Sequence, residues 1–212
     1  KCEAQHIGNI LWALATVAHE PEYSLVRALT ERAAVVAPHF NTQNIANALW
    51  GTCMLAQTYP GTTGELIDVL VPRAIVLFDA SSCALALSGA GTELERVRCE
   101  KLVQELCALH QCLLTYQFEP ALQESMPSQL SIMQEVLAPW CKEAFLRQQH
   151  TAFSSRCHLE VSHTLRSMGL SVQDEVICDK SGYTLDMLCA TSRTNAHSRT
   201  PHMNKSRTNA HS

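Results

Sequence analysis

The sequence has no long hydrophobic run, few aromatic residues and few charges. Its longest apolar stretch, residues 10–18, is far shorter than the ~20 residues that span a bilayer, which predicts a protein with no membrane partner. Aromatic residues make up only 6% of the 212 residues and charged residues 17%, whereas 46% are hydrophobic, a composition that favours a folded core. No basic segment followed by an apolar one comes after Lys1, so we expect a piece of a longer protein without its targeting peptide.

Paired cysteine motifs are also missing. The chain has ten cysteines but no Cys-x-x-Cys pair, and several of them, such as Cys53, replace aliphatic residues within helical patterns. Free buried cysteine behaves as a small hydrophobic residue, so the sequence predicts free thiols and a reducing compartment. Cys157, His158 and His163 resemble a ligand cluster, but histidines five residues apart do not share one helical face. We therefore expect no metal site and no cofactor.

Basic side chains are scarce outside the end of the chain. Residues 1–190 carry 12 basic and 20 acidic side chains, whereas residues 191–212 carry four basic ones and no acidic one. Nucleic-acid binders usually have a basic surface, so the charge of residues 1–190 argues against one there. Residues 192–198 recur identically as residues 206–212, without apolar periodicity. We expect this segment to be a disordered tail that either adds phosphate contacts or stays inert.

The chain does contain an internal repeat. Residues 5–14 and 43–52 share five identities at an offset of 38, including Trp12 and Trp50, two of only three tryptophans. The segments that follow match each other at an offset of 41. Helical hairpins at this spacing stack into an α-solenoid, so we predict four antiparallel helices within residues 4–80 and no β-strand there. The matched positions of the second segments are Leu25 and Leu66, Leu29 and Leu70, Arg32 and Arg73, and Ala33 and Ala74.

The first helix of each hairpin has an apolar face and a polar face. Apolar residues recur at the helical spacing i, i+3, i+4, i+7, which predicts that they are buried. These residues are Ile7, Ile10, Leu11 and Leu14 in the first helix, with Ile45 and Leu49 at equivalent positions of the third. The opposite face, called the polar face below, holds amides and tryptophans: Gln5, Asn9, Trp12, Gln43, Asn47 and Trp50.

Two interpretations of the polar face stay open. In the first, the tryptophans pack between repeats and the asparagines bond to neighbouring helices; this one is favoured because buried contacts between repeats constrain sequence most strongly. In the second, the face lines a groove for single-stranded RNA, and its amides read base edges as in other helical-repeat RNA binders. The second interpretation makes all six residues candidate RNA-binding residues.

A family resemblance adds to the RNA-binding interpretation. Residues 43–51, Gln-Asn-Ile-Ala-Asn-Ala-Leu-Trp-Gly, resemble the repeat signature of octotricopeptide-repeat proteins, which also precedes the RAP domain in FAST-kinase-like proteins. A third copy, expected near Ser81, lacks both Asn and Trp, so the array degenerates or ends there. Residues 109–116, Leu-His-Gln-Cys-Leu-Leu-Thr-Tyr, are similar to the helix that precedes RAP domains. The resemblance implies an organellar RNA-binding protein.

The last third resembles the start of a RAP domain. The resemblance lies in residues 158–162, His-Leu-Glu-Val-Ser, and 182–186, Gly-Tyr-Thr-Leu-Asp. That family has a restriction-endonuclease-like fold, which implies that Glu160 and Asp186 stand at two of its acidic positions. The resemblance ends at Ala190, before the strand that would carry the remaining site residues. Metal-assisted cleavage needs several oxygen ligands and a base, so we predict vestigial acids and no catalytic residue.

The local pattern around these motifs predicts a small α+β element. Alternating residues within 172–188 predict a two-stranded hairpin, which is marginal unless something covers it. A helical stripe over 154–168 predicts that a helix supplies the cover, through Val161 and Leu165.

Together these observations predict a mainly α fold, an α-solenoid of helical hairpins followed by a partial, endonuclease-like α+β RAP start with a two-stranded hairpin. The expected regions are a helical-repeat region (1–90), a helical linker (91–150), a partial RAP domain (151–190) and a disordered tail (191–212). We expect a non-enzymatic mitochondrial or chloroplast protein that binds single-stranded RNA, organellar transcripts or rRNA, and acts in transcript stability, processing or translation.

Two other functions stay open. The first is an RNA endonuclease with an endonuclease-like C-terminal domain, which a strand with Glu-x-Lys after residue 190 would favour. The second is a helical scaffold that binds only proteins, and the acidic composition of residues 1–190 permits this.

Overall fold

The structure, a computed structural model, describes residues 2–17, 21–56, 60–149 and 155–190, without the side chains of 60–62. These residues are mainly helical and end in a small antiparallel sheet, which confirms the predicted mainly α class. The expected tail, 191–212, lies outside the described residues. Contacts divide the chain into a first unit, Lys1–Ala152 with Asp179–Tyr183, and a second unit, Phe153–Cys178 with Thr184–Ser212.

The elements of the first unit are all helical among its described residues. They are α1 (Ala4–Thr16), α2 (Tyr23–Val36), a 3-10 turn (Ala37–His39), α3 (Thr42–Leu55), α4 (Pro60–Leu77), α5 (Ala80–Ser88), α6 (Glu93–Phe118), α7 (Pro120–Gln123) and α8 (Ser128–Gln149). The four helices predicted within residues 4–80 are therefore confirmed, and the described part of that span contains no strand. The third copy expected near Ser81 is only the short helix α5.

Capping residues fix where several of these helices begin. The Asn41 side chain accepts a hydrogen bond from the N–H of Asn44 at the start of α3. Thr92 and Glu95 form a capping box at the start of α6, each side chain bonding the other's backbone N–H. Gly89 ends α5 with a φ of 67°, a left-handed conformation that glycine adopts without strain.

The first helices of the hairpins pack side by side in the same direction. Helix α1 packs on α3, and α3 packs on α6. Gly8 lies against Asn44 and Gly51 lies against Leu11, so the contact points advance together along α1 and α3. Between α3 and α6 the corresponding contacts are Thr42 with Glu105, Trp50 with Gln111, and Cys53 with Cys112. The second helices follow the same order, since α2 packs on α4 and α4 on α8.

The two hairpins repeat one another in their contacts as well as in sequence. Arg32 of α2 donates from Nε to the backbone oxygen of Cys2, 2.6 Å away. Arg73 of α4 donates from Nε to the backbone oxygen of Phe40, 3.2 Å away. Cys2 and Phe40 are themselves 38 residues apart, so the same bond closes both hairpins at the same place. The bond also shows that the helices within each hairpin are antiparallel.

The predicted core is confirmed at its main positions. Ile7, Leu11, Ile45 and Leu49 are all buried. Ile10 was expected in the same stripe, but it is 36% exposed, so its prediction is wrong. The remaining member of the stripe in α1, Leu14, is partly buried against the core.

The cysteines are not all free. Cys53 of α3 and Cys112 of α6 form a disulfide across 59 residues of sequence, so the prediction of free thiols is wrong for this pair. The other eight cysteines form no disulfide within the described residues, and Cys83, Cys107 and Cys141 among them are buried. Burial raises the pKa of the Cys83 and Cys107 thiols to about 11, which keeps them neutral and hydrophobic.

The second unit contains one helix and the predicted hairpin. Helix α9 (Arg156–Ser167) packs on strand β1 (Ser171–Ile177), which pairs with strand β2 (Thr184–Ala190). The strands are antiparallel, with Asp174 opposite Met187 and Val176 opposite Leu185. A covering helix was predicted correctly, but the contacts were not. Val161 is 41% exposed and Leu165 only half-buried, because the buried residues of α9 are polar.

Candidate nucleic-acid interface

The polar face lies on helices that run in parallel, at equivalent positions of the two repeats. Gln5 and Asn9 of α1 and Gln43 of α3 are exposed, and Asn47 is half-buried. The Asn47 amide bonds to no other residue in the part of the chain that the structure describes. The asparagine amides therefore form no hydrogen bonds to neighbouring helices within the described residues, and all four amides can bond to a ligand.

The two tryptophans of the repeat have different surroundings. Trp12 is 47% exposed on α1. Trp50 is half-buried and donates from its indole N–H to Oε1 of Gln111 on α6, 2.9 Å away. Trp50 thus ties one repeat to the next helix, as the structural interpretation proposed for it, while Trp12 offers a free ring face.

Two buried polar residues lie near the start of α3, and they were not predicted from the sequence. Asn44 of α3 and Glu105 of α6 are each only 7% exposed. Burial raises the pKa of Glu105, while a hydrogen bond from Thr42 and the charge of Lys101 oppose that shift. Its Oε1 atom has no hydrogen-bond partner among the residues that the structure describes. The one available signal was that Glu105 stands within an otherwise apolar helical pattern, next to Leu106.

The raised pKa of Glu105 leads to a prediction about stability. The folded protein holds this proton more tightly than the unfolded chain, so stability falls as pH rises above the ordinary value of 4.5. Glu105→Gln removes the charge and should raise the free energy of unfolding at pH 7, with the gain disappearing below pH 4.5. Urea titrations at both pH values measure this. Glu100→Gln, at an exposed position of the same helix, should give no gain, and an equal gain there would contradict the assignment.

Residues 109–116, which are similar to the helix that precedes RAP domains, contact two other parts of the first unit. His110 of α6 hydrogen-bonds through Nε2 to the backbone oxygen of Ser181, 2.8 Å away, and its ring lies 4.8 Å from that of Phe145. Phe145 in turn makes an edge contact with Tyr183. Burial lowers the pKa of His110, with the hydrogen bond opposing. With Gln111 holding Trp50, this short motif joins residues 179–183 and the repeat region within the first unit.

Asp174 of β1 links this strand to α9 through its carboxylate. It accepts hydrogen bonds from Ser162 Oγ at 2.7 Å and from Arg166 Nη2 at 2.5 Å, and His158 Nε2 lies 3.3 Å away. The bonds from Ser162 and Arg166 lower the pKa of Asp174. Ser162 is buried and donates to the carboxylate rather than to the histidine, so these residues are not arranged as a nucleophile with its base. They fasten α9 to β1.

Glu160 and Asp186 are not assembled into a site. Glu160 is exposed and pairs with Arg156 one turn earlier, Nε to Oε1 at 2.9 Å. Asp186 is exposed on β2, on the opposite side of the strand from Met187, which faces Asp174. Among the described residues, no three His, Cys, Asp or Glu side chains are grouped so as to hold a metal ion.

The charges near the polar face give it no basic character. Its six residues are uncharged, and most arginines of the described ranges are held in ion pairs or backbone bonds. A ligand would therefore bind here through hydrogen bonds to the amides and through stacking on Trp12. In single-strand recognition, such hydrogen bonds distinguish one base from another, whereas stacking accepts any base.

Comparison of the chain with protein-family models, with curated proteins and with solved structures gives no match. In the described ranges, no single helix combines the length and hydropathy of a membrane span. One bent pair, Thr63–Leu77 with Ala80–Ser88, meets the criteria by length and composition.

Proposed function

We propose that this chain binds single-stranded RNA along the polar face of α1 and α3. The observation that carries the proposal is the placement of the repeat-equivalent amides. Gln5 and Gln43, and likewise Asn9 and Asn47, occupy the same positions of two parallel helices and remain accessible to solvent. Helical-repeat RNA binders read about one base per repeat with two or three side chains. Two amides per repeat, with Trp12 beside them, match that requirement.

The architecture supports the same proposal. Both hairpins are closed by the same arginine-to-carbonyl bond, and the first helices stack in parallel. We propose that the stack is an α-solenoid of the octotricopeptide type and that the second unit is the beginning of a RAP domain. By that resemblance, the protein acts on transcripts in mitochondria or chloroplasts, in their stability, processing or translation.

The proposal is binding rather than cleavage. Glu160 is paired with Arg156, and Asp186 lies on the strand face away from Asp174, so neither is placed for the two-acid metal chemistry of an endonuclease. A scaffold that binds only protein would need no exposed amides at equivalent positions. The polar face therefore favours RNA over both alternatives.

Replacing Asn47 with alanine tests the proposal. Loss of one base-reading amide should weaken binding of a single-stranded RNA pool by about fivefold or more, the equivalent of ~1 kcal/mol. The melting temperature should stay unchanged, because Asn47 makes no hydrogen bond within the described ranges. Fluorescence anisotropy with labelled RNA measures the affinity, and thermal unfolding followed by circular dichroism measures the stability.

The matched control is Gln134→Ala, an exposed amide on α8, away from the polar face. It should leave RNA affinity as it is. Equal losses in both variants would refute a role for the polar face, and so would an Asn47→Ala protein that binds RNA normally.

A further inference from the structure

A cleft of about 630 Å³ opens beside the first turn of α1, between that turn, the end of α2 and the start of α3. Buried residues form its floor, namely Ala4, Val36 and Asn44, and exposed residues form its rim, namely Glu3, Gln5, Val35 and His39, with half-buried Arg32 between them. The volume is sufficient for a nucleoside monophosphate. Gln5 belongs both to this rim and to the polar face.

Asn44 is the feature that points to a ligand. Its backbone N–H bonds to Asn41, and its backbone oxygen faces Gly8. Its side chain is only 7% exposed, lines the cleft and bonds to no residue in the described ranges. Among the described residues, Glu105 Oε1 is the one fully buried side-chain N or O atom without a partner, so the Asn44 amide is open to the cleft. A ligand edge with one donor and one acceptor can bond to it there.

A fixed positive charge stands in the same cleft. Nε of Arg32 is anchored by the backbone oxygen of Cys2, and its terminal nitrogens have no partner among the described residues. Glu3 lies on the rim of the cleft, and its backbone N–H donates to Nδ1 of His6, 3.1 Å away. A phosphate can therefore pair with Arg32 while apolar Ala4, Val35 and Val36 contact a flat ring.

The equivalent place in the second hairpin is arranged differently. Thr42 stands where Ala4 does in the first, and it is hydrogen-bonded to the buried Glu105 of α6. A carboxyl group cannot replace the asparagine amide, which pairs with a base edge through both an N–H donor and an oxygen acceptor. The amide-lined cleft is thus a property of the first hairpin.

We infer that the cleft binds an adenine nucleotide of the RNA strand, with the Asn44 amide paired to N6 and N7 of the base and Arg32 paired to the phosphate. Asparagine pairs in this bidentate way with adenine rather than with the other bases. The inference rests on the proposed function and deepens it, because a strand on the polar face passes Gln5 and can place one base in the cleft.

Titration with AMP, followed by backbone amide chemical shifts, tests the inference on the whole chain. AMP should shift the amide signals of Ala4, Arg32 and Asn44, and CMP and UMP should bind at least about fivefold more weakly. Asn44→Asp, which removes the N–H donors at constant shape, should weaken AMP binding at least about fivefold. Gln134→Glu adds the same charge on α8, outside both the cleft and the polar face, and should leave AMP affinity within about twofold.

Gln5→Glu, on the exposed rim, provides a second variant in case Asn44→Asp does not fold, and it should also weaken AMP binding. The inference is overturned if AMP shifts no cleft residue, if CMP binds equally well, or if the folded cleft variants bind AMP as the wild type does. RNA binding that persists alongside any of these results would leave the proposed function intact. AMP binding in the cleft without any RNA binding would support the cleft and refute the proposed function.

Discussion

Replacing Gly51 with alanine is expected to lower the free energy of unfolding by about 3 kcal/mol, at the upper end of overpacking costs. A Cβ atom at this position would lie 2.5 Å from the backbone carbon and oxygen of Leu11 and 2.9 Å from the backbone nitrogen of Trp12. Backbone atoms cannot rotate away, so α1 and α3 would have to separate and lose packing along their shared contact. Urea unfolding followed by circular dichroism measures the change.

Gly64→Ala is the matched control for this substitution. Gly64 also lies inside a helix, α4, but the nearest atom to its Cβ would be Pro127 Cγ at 3.7 Å, an ordinary contact. Alanine forms helix better than glycine by ~0.8–1 kcal/mol, so this variant should be as stable as the wild type or slightly more stable. If Gly51→Ala unfolds no more easily than Gly64→Ala, the close approach of α1 to α3 is wrong.

Leu49→Ala is expected to cost about 2–5 kcal/mol, the range for removing a fully buried leucine side chain. Leu49 is completely buried on α3, which packs against α1, α4 and α6, so little can move to fill the cavity. The same unfolding titration measures this loss, and a change below about half a kilocalorie would contradict the core assignment.

Leu85→Ala provides the comparison for Leu49. Leu85 lies on the short helix α5 and is 48% exposed, so its side chain has much less buried area to lose. We expect a loss of no more than about 1 kcal/mol. Equal losses at the two positions would mean that Leu49 is not a core residue of α3.

Local patterns predicted most of the helices and the main core positions. Ile7, Leu11, Ile45 and Leu49 recur at helical spacing in two copies of one segment, and such a pattern depends only on nearby residues. The same pattern failed at Ile10, because the side of a helix that is covered depends on the neighbouring helices. The burial of an edge residue of the stripe is set by that packing rather than by spacing.

The buried polar residues of the site could not be predicted for the same reason. Glu105 meets Thr42 across 63 residues of sequence, and Cys53 meets Cys112 across 59. Neither contact leaves a local signal. The prediction for α9 failed in another way, because an apolar stripe through Val161 was read as its inner face. That face is formed instead by His158 and Ser162, which bind Asp174.

The solvent exposure of the polar face followed from spacing, but its contacts did not. Equivalent positions of a repeat face the same way, which predicted the four amides on one side of α1 and α3; three of them are exposed and Asn47 is half-buried. Spacing did not separate Trp12 from Trp50, because that difference arises from Gln111 on a helix outside the repeat pair. Asn44 carries no such signal, since its burial depends on the first turn of α1.

RNA binding along the polar face can be located by photocrosslinking a single-stranded RNA to the intact chain and identifying the crosslinked peptides by mass spectrometry. Crosslinks are expected within residues 4–16 and 42–55, at or beside Trp12 and the four amides, and they should be lost in a variant with Gln5, Asn9, Gln43 and Asn47 replaced by alanine. Crosslinks confined to residues 191–212 or to α9, or unchanged in that variant, would contradict RNA binding along this face.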